Sequence, residues 1–125
     1  MMTLDDFRAA RRVLDGVLHR TDLMYSPFFT RTTGNQVYIK PENMQVTGAY
    51  KIRGAYFKCS ALSDEEKERG LVTASAGNHA QGVALSAQHA GIPCTICMPD
   101  SAPLSKVEAT KNYGADVCLV EGAYD

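Results

Sequence analysis

Two short segments of this 125-residue chain bring together residue types that can do chemistry. In Thr47-Gly48-Ala49-Tyr50-Lys51-Ile52-Arg53-Gly54-Ala55, the amine of Lys51 has Ala49, Tyr50, Ile52, Ala55, Tyr56 and Phe57 as near neighbours. If Thr47 caps a helix there, Lys51 lies in its first turn, where a cation opposes the helix dipole. Apolar surroundings also disfavour the charged form. Both effects point to a neutral amine, the form that attacks a carbonyl to make a Schiff base. A solvated lysine whose stem lies along aromatic side chains suits the same residues.

In Ser75-Ala76-Gly77-Asn78-His79 the side chains are small at a point where a strand would hand over to a helix. Backbone N–H groups at a helix start attract an anion, small residues let it come close, and Asn78 adds a side-chain donor. A carboxylate or a phosphate is the expected guest. A plain strand-to-helix turn with Ser75 or Asn78 as N-cap is the other reading. A lone His such as His79 in a first helical turn is more often structural or solvated than catalytic, and His19 and His89 have no evident partner. Gly77 and Gly82 have the outer spacing of a P-loop, but Val83 stands where Lys is required, and no Gly-x-Gly-x-x-Gly follows a strand. Triphosphate and dinucleotide sites lose their usual support. Cys94-Thr95-Ile96-Cys97 has the spacing of a redox or metal motif, yet it falls in an apolar run after Pro93, where positions three apart face opposite sides of a strand. No second pair completes a zinc set, so these cysteines are expected as free thiols in the core and no metal site is expected.

The elements that must position these residues follow from periodicity. Leu4, Phe7, Ala10, Leu14 and Val17 or Leu18 recur at helical spacing after Thr3, a candidate N-cap followed by Asp5 and Asp6. Val37 to Lys40 reads as a short strand stopped by Pro41, Thr47-Gly48 opens a helix running to about Ala61, and Ser63 to Glu66 has the capping-box pattern. Three apolar runs follow, Leu71 to Ser75, Cys94 to Met98 and Asp116 to Val120. The helical patterns between them carry Ala80, Val83, Ala84 and Ala87, then Leu104, Val107 and Tyr113 after Pro103. Gly70, Gly91 and Gly114 stand between a helix and a strand, where a left-handed residue is wanted. Alternation at this spacing means parallel strands joined by right-handed crossovers, hence a three-layer α/β fold with helices on both faces of a parallel sheet, or part of one.

Composition narrows the partners. With 13 Lys plus Arg against 14 Asp plus Glu the net charge is -1, and no basic block offers a footprint for nucleic acid or an anionic membrane. Residues 71–99 carry no Asp, Glu, Lys or Arg, but Asn78, His79, Gln81, Gln88, His89 and Pro93 interrupt them, which rejects a membrane span. Asp5, Asp6 and Arg8 stand where a secretory signal needs apolar residues, so the cytoplasm is the expected location.

The two segments together resemble a known family. Thr47 to Ala55, preceded by Lys40-Pro41-Glu42-Asn43, is similar to the cofactor-lysine segment of the pyridoxal-phosphate-dependent serine/threonine dehydratases. Thr73-Ala74-Ser75-Ala76-Gly77-Asn78-His79-Ala80-Gln81-Gly82 resembles the second motif of that family, and Met98-Pro99 through Ala109 continues the similarity. The resemblance spans nearly the whole chain and lies nearest the threonine dehydratases, also called threonine ammonia-lyases.

It implies a fold type II enzyme of two α/β domains with pyridoxal 5'-phosphate in the cleft between them. Residues 1–46 would belong to the larger domain and 47–125 to an incomplete smaller one. The implied reaction is deamination of L-threonine, and of L-serine, to 2-oxobutanoate, or pyruvate, and ammonia by α,β-elimination. Lys51 is implied to hold the cofactor as a Schiff base and, once freed, to take the Cα proton. Tyr50 stands beside it where Phe is usual. Asn78 is implied to contact the cofactor 3'-oxygen, and Ser75, Ala76, Gly77, Asn78 and His79 to hold the substrate carboxylate. Ala49 replaces a common Ser and removes one hydrogen bond near the cofactor. The family's glycine-rich phosphate loop lies downstream of every matching position. The chain is therefore expected to be an N-terminal portion, inactive alone, of a homo-oligomeric enzyme. Serine racemase and serine dehydratase share both motifs, whereas Ala76 to Gly82 suits the cysteine synthases less well. A non-catalytic α/β fragment that keeps the carboxylate-binding turn is a reading of another class.

Overall fold

The structure, a computed structural model, describes residues 1–122. Helix α1 (Leu4–Leu14) starts where the sequence predicts, because Thr3 and Asp6 form a capping box: Thr3 Oγ1 accepts from Asp6 N, and the Asp6 carboxylate accepts from Thr3 N. It ends three residues before Val17, where Asp15 turns extended and Gly16 takes a left-handed φ of 76°. Its apolar side is left open, with Leu4 and Phe7 exposed.

Two short elements escape the periodicity. Strand β1 (Met24–Tyr25) pairs antiparallel with β2 (Tyr38–Ile39), and between them α2 (Pro27–Thr33) runs from Ser26 as N-cap to Gly34 as left-handed C-cap. The strand predicted over Val37 to Lys40 shrinks to two residues because β1 offers only two to pair with. After a 3-10 turn at Glu42–Met44, helix α3 (Lys51–Ser60) begins later than predicted. Thr47 does not cap it; Tyr50 is the N-cap. Gly48, at φ 68°, turns the chain, and Thr47 Oγ1 donates to Ala49 O inside that turn. Helix α4 (Asp64–Arg69) has the expected capping box of Ser63 with Glu66.

From here β3 (Leu71–Ala74), α5 (Asn78–Ala90), β4 (Cys94–Pro99), α6 (Leu104–Asn112) and β5 (Asp116–Val120) alternate, and the three strands form a parallel sheet in the order β3-β4-β5. Gly91 is the left-handed C-cap expected of it, whereas Gly70 caps α4 at φ 79° and ψ -177°, outside the left-handed helical region, and Gly114, at φ 81°, follows the C-cap Tyr113. Along β4, Cys94, Ile96 and Met98 are buried against Ala80, Ala84, Ala87 and Val107. Thr95 and Cys97 point to the other face, where Val72, Cys118 and Val120 are exposed. Cys94 is thus a core residue, and burial pushes its thiol up to about 11. Cys97 lies half-buried on the opposite face rather than in the core, and all four cysteines are free.

Helix α5 is packed on two sides. Its sheet side carries Ala80, Ala84 and Ala87. On α3 it is met by fully buried Ile52, by Ala55 beside Gly82, and by Cys59, whose Sγ donates to Ser86 O. Among the described residues no helix is long and apolar enough to cross a membrane.

Candidate active site

The turn after β3 is built by one hydroxyl. Ser75 N donates to Cys97 O at 3.0 Å and continues the ladder, which holds Ser75 buried at the end of the sheet. Its Oγ then accepts from the N–H groups of Gly77 at 3.3 Å and Ala80 at 3.2 Å. Gly77, not Ser75 or Asn78, is the N-cap of α5, and Ser75 supports the helix start from two residues before it through these bonds. The N–H groups of Asn78 and His79, the first two residues of the 13-residue α5, have no acceptor among the described residues. A Cβ built on Gly77 would meet nothing within 4 Å, so there is open space beside the residue that precedes these donors. Free donors, a helix dipole and missing side chains are what an anion needs.

Lys51 is the first residue of α3, and its amine has no hydrogen-bond or ion-pair partner among the described residues. The apolar neighbours do not enclose it: Lys51 is exposed and Tyr50 beside it is 63% exposed. The expected desolvation is not supplied by this chain, although the position at a helix start is. Gly82 brings Lys51 and the turn to the same end of the molecule. A Cβ on Gly82 would lie 3.4 Å from the Ile52 N and Cα atoms, so the peptide joining Lys51 to Ile52 rests on α5 one turn, about 6 Å, from Asn78. Gly82→Leu is expected to force α3 off α5, costing about 1–3 kcal/mol in urea unfolding, while Gly82→Ala costs under about 1 kcal/mol. Equal effects of the two would show that the close approach is unimportant.

Several contacts were missed because they join distant positions. Glu42 accepts from Arg53 Nε at 2.8 Å and Nη2 at 2.7 Å, and from Thr21 Oγ1, while Lys40 Nζ donates to Thr21 O. This ties α3, two residues beyond Lys51, to the segment before it. The Arg53 guanidinium holds the Glu42 carboxyl well below its ordinary range, at about 2. Gln45 adds a second tie, accepting from His19 N and donating to His19 O, both at 2.9 Å. His19 and His89 do find partners, the first at Met44 O and the second edge-on to Tyr56. Lys106 Nζ donates to Asn78 Oδ1 at 3.2 Å; the one sign of it in the sequence is a cation just after Pro103, in a first helical turn. A groove of about 840 Å³ lies between α1 and α3, lined by Phe7, Leu14, Leu18, Arg53 and Phe57, and contains none of the expected site residues.

The family described as pyridoxal-phosphate dependent enzyme matches residues 14–125. The chain is 56% identical over 125 residues to an L-threonine ammonia-lyase of Thermotoga maritima, covering 100% of this chain and 31% of that protein. Among solved structures it is similar to maize serine racemase, with a TM-score of 0.90 and 40% identity over 97% of this chain and 37% of that one. It is also similar to the processed form of threonine deaminase isoform 2 from Solanum lycopersicum, with a TM-score of 0.83 and 35% identity over 99% and 38%. The chain spans about a third of the length of these relatives, from 31% to 38%.

Proposed function

Because the chain belongs to the pyridoxal-phosphate dependent enzyme family, we propose that the whole protein deaminates L-threonine, and L-serine, to the 2-oxo acid and ammonia by α,β-elimination. The observation that carries this reading is the pairing of a lysine at the start of α3 with N–H groups at the start of α5, one turn from the Gly82 contact, both without partners among the described residues. Both features suit the cofactor: an exposed amine free to react with its aldehyde, and donors beside open space for anionic oxygen.

Lys51, with Tyr50 beside it, would hold the cofactor, and Asn78 would meet its 3'-oxygen. When bound, pyridoxal phosphate supplies the electron sink that lets a Cα proton leave. The turn Ser75, Ala76, Gly77, Asn78 and His79 binds the substrate carboxylate through the two free N–H groups and so orients the Cα–H bond. Lys51 Nζ takes the Cα proton as general base. The Glu42–Arg53 pair keeps the start of α3 in place while it does so. This reading also carries a homo-oligomeric cytoplasmic enzyme in which residues 1–46 belong to a larger domain and 47–125 to a smaller one. The Glu42–Arg53 pair would then cross their boundary.

The whole protein supplied with pyridoxal phosphate and L-threonine is expected to release 2-oxobutanoate and ammonia in equal amounts. The 125-residue chain alone is expected to bind cofactor without turnover, and steady 2-oxobutanoate from it would overturn that part. The similarity to maize serine racemase favours a second reading, and D-serine as the main product from L-serine would select it.

A further inference from the structure

Lys106 sits where α6 alone does not want it. It is the third residue of the helix, in the first turn, where a cation opposes the dipole. No ion pair compensates, since no carboxylate lies within 4.0 Å of its amine among the described residues. Its one polar contact is Asn78 Oδ1 at 3.2 Å, across to the first residue of α5. An ammonium group only donates, so the amide oxygen must face it, and the reversed amide would set donor against donor. Asn78 is otherwise an exposed side chain at a helix start, of the kind that turns freely.

We propose that Lys106 is a positioning residue that holds the Asn78 amide with Oδ1 toward α6 and Nδ2 toward the open side of the Ser75 to His79 turn. The turn then offers donors from backbone and side chain alike and presents no acceptor from Asn78. It becomes selective for an oxygen that accepts, an ionised one above all. On the function proposed above, on which this consequence rests, that oxygen is the cofactor 3'-oxygen in its ionised form.

The test separates the contact from its consequence. In the free 125-residue chain, the ¹⁵N-{¹H} NOE of the Asn78 Nδ2 group is expected to be high, to drop in Lys106→Met and to recover in Lys106→Arg, which keeps the donor-only cation. Unfolding by urea should show Lys106→Met no less stable than the parent chain, since the substitution removes an unfavourable charge from the first turn of α6. An Asn78 NOE unchanged in Lys106→Met, or a drop accompanied by global destabilisation, overturns the proposal. In a second arm, pyridoxal phosphate affinity is expected to fall about tenfold in Lys106→Met, as for loss of one oriented hydrogen bond to a charged group, and to be restored in Lys106→Arg. This arm uses the whole protein: if the parent protein binds no cofactor while the NOE pattern holds, the assigned function fails and the positioning role stands. If the parent binds it and Lys106→Met binds it equally well, the positioning has no bearing on the ligand and the proposal falls.

Discussion

Lys51→Ala is expected to abolish covalent capture of pyridoxal phosphate. Incubating the chain with the cofactor and reducing with borohydride should leave a pyridoxyl group on Lys51, read by peptide mass, and none at that peptide in the variant. Lys40, Lys58, Lys67 and Lys111 share the same solvent, but each stands away from the start of α3, and Lys106 is held by Asn78. Among the described residues Lys51 alone combines an unpartnered amine with the first position of a helix, and its exposure leaves it open to the cofactor aldehyde. In the whole protein the same change removes the proposed general base as well, worth about 10²- to 10⁴-fold in turnover by itself. Labelling spread evenly over the lysines of the parent chain, or undiminished in Lys51→Ala, would exclude the assignment.

The second large effect is on stability and its response to acid. Glu42 is 16% exposed, accepts two hydrogen bonds from Arg53 and one from Thr21, and has its carboxyl lowered from 4.5 to about 2. The largest cause is the Arg53 hydrogen bonding, with burial acting in the opposite direction. A carboxyl depressed on folding stabilises the folded chain fully above its unfolded value, and that contribution is lost as pH falls from about 4.5 through about 2. The shift of about 2.5 pH units corresponds to roughly 3 kcal/mol. Glu42→Gln should therefore lower the urea unfolding free energy near neutral pH by about 2–3 kcal/mol and flatten its fall in that window. Asp6 and Glu66, held low mainly by the backbone N–H groups of Thr3 and Ser63, would leave a small residual slope. An unchanged acid slope in Glu42→Gln would mean that other carboxyls carry it.

What could be read from the residues alone was local. The N-cap at Thr3 and the capping box at Ser63 need partners only three positions away, and both formed. The strand and helix alternation from Leu71 onward is a repeated pattern over many residues, and it returned the parallel sheet with its boundaries nearly unchanged. The two-residue strands β1 and β2 have too few positions for any period, and the late start of α3 comes from the positive φ of Gly48, which no spacing announces. The site divides in the same way. Small residues after β3 marked out a candidate anion-binding turn, but the pair Glu42 with Arg53 lies 11 positions apart and Lys106 with Asn78 lies 28 apart, distances bridged only once α3 and α6 are folded against their neighbours. The residues left Lys51 open between a reactive amine and a solvated one. The resemblance of its whole segment to a family is what favours the reactive amine, and the structure leaves that amine exposed.

The face of the sheet that carries Val72, Cys97, Cys118 and Val120 has no helix laid on it by α5 or α6. Anything that covers that face in the folded state and not in the unfolded one acts thermodynamically as a ligand, raising stability in proportion to the logarithm of its concentration over its dissociation constant. The unfolding free energy of the chain is then a property of its surroundings as well as of its sequence.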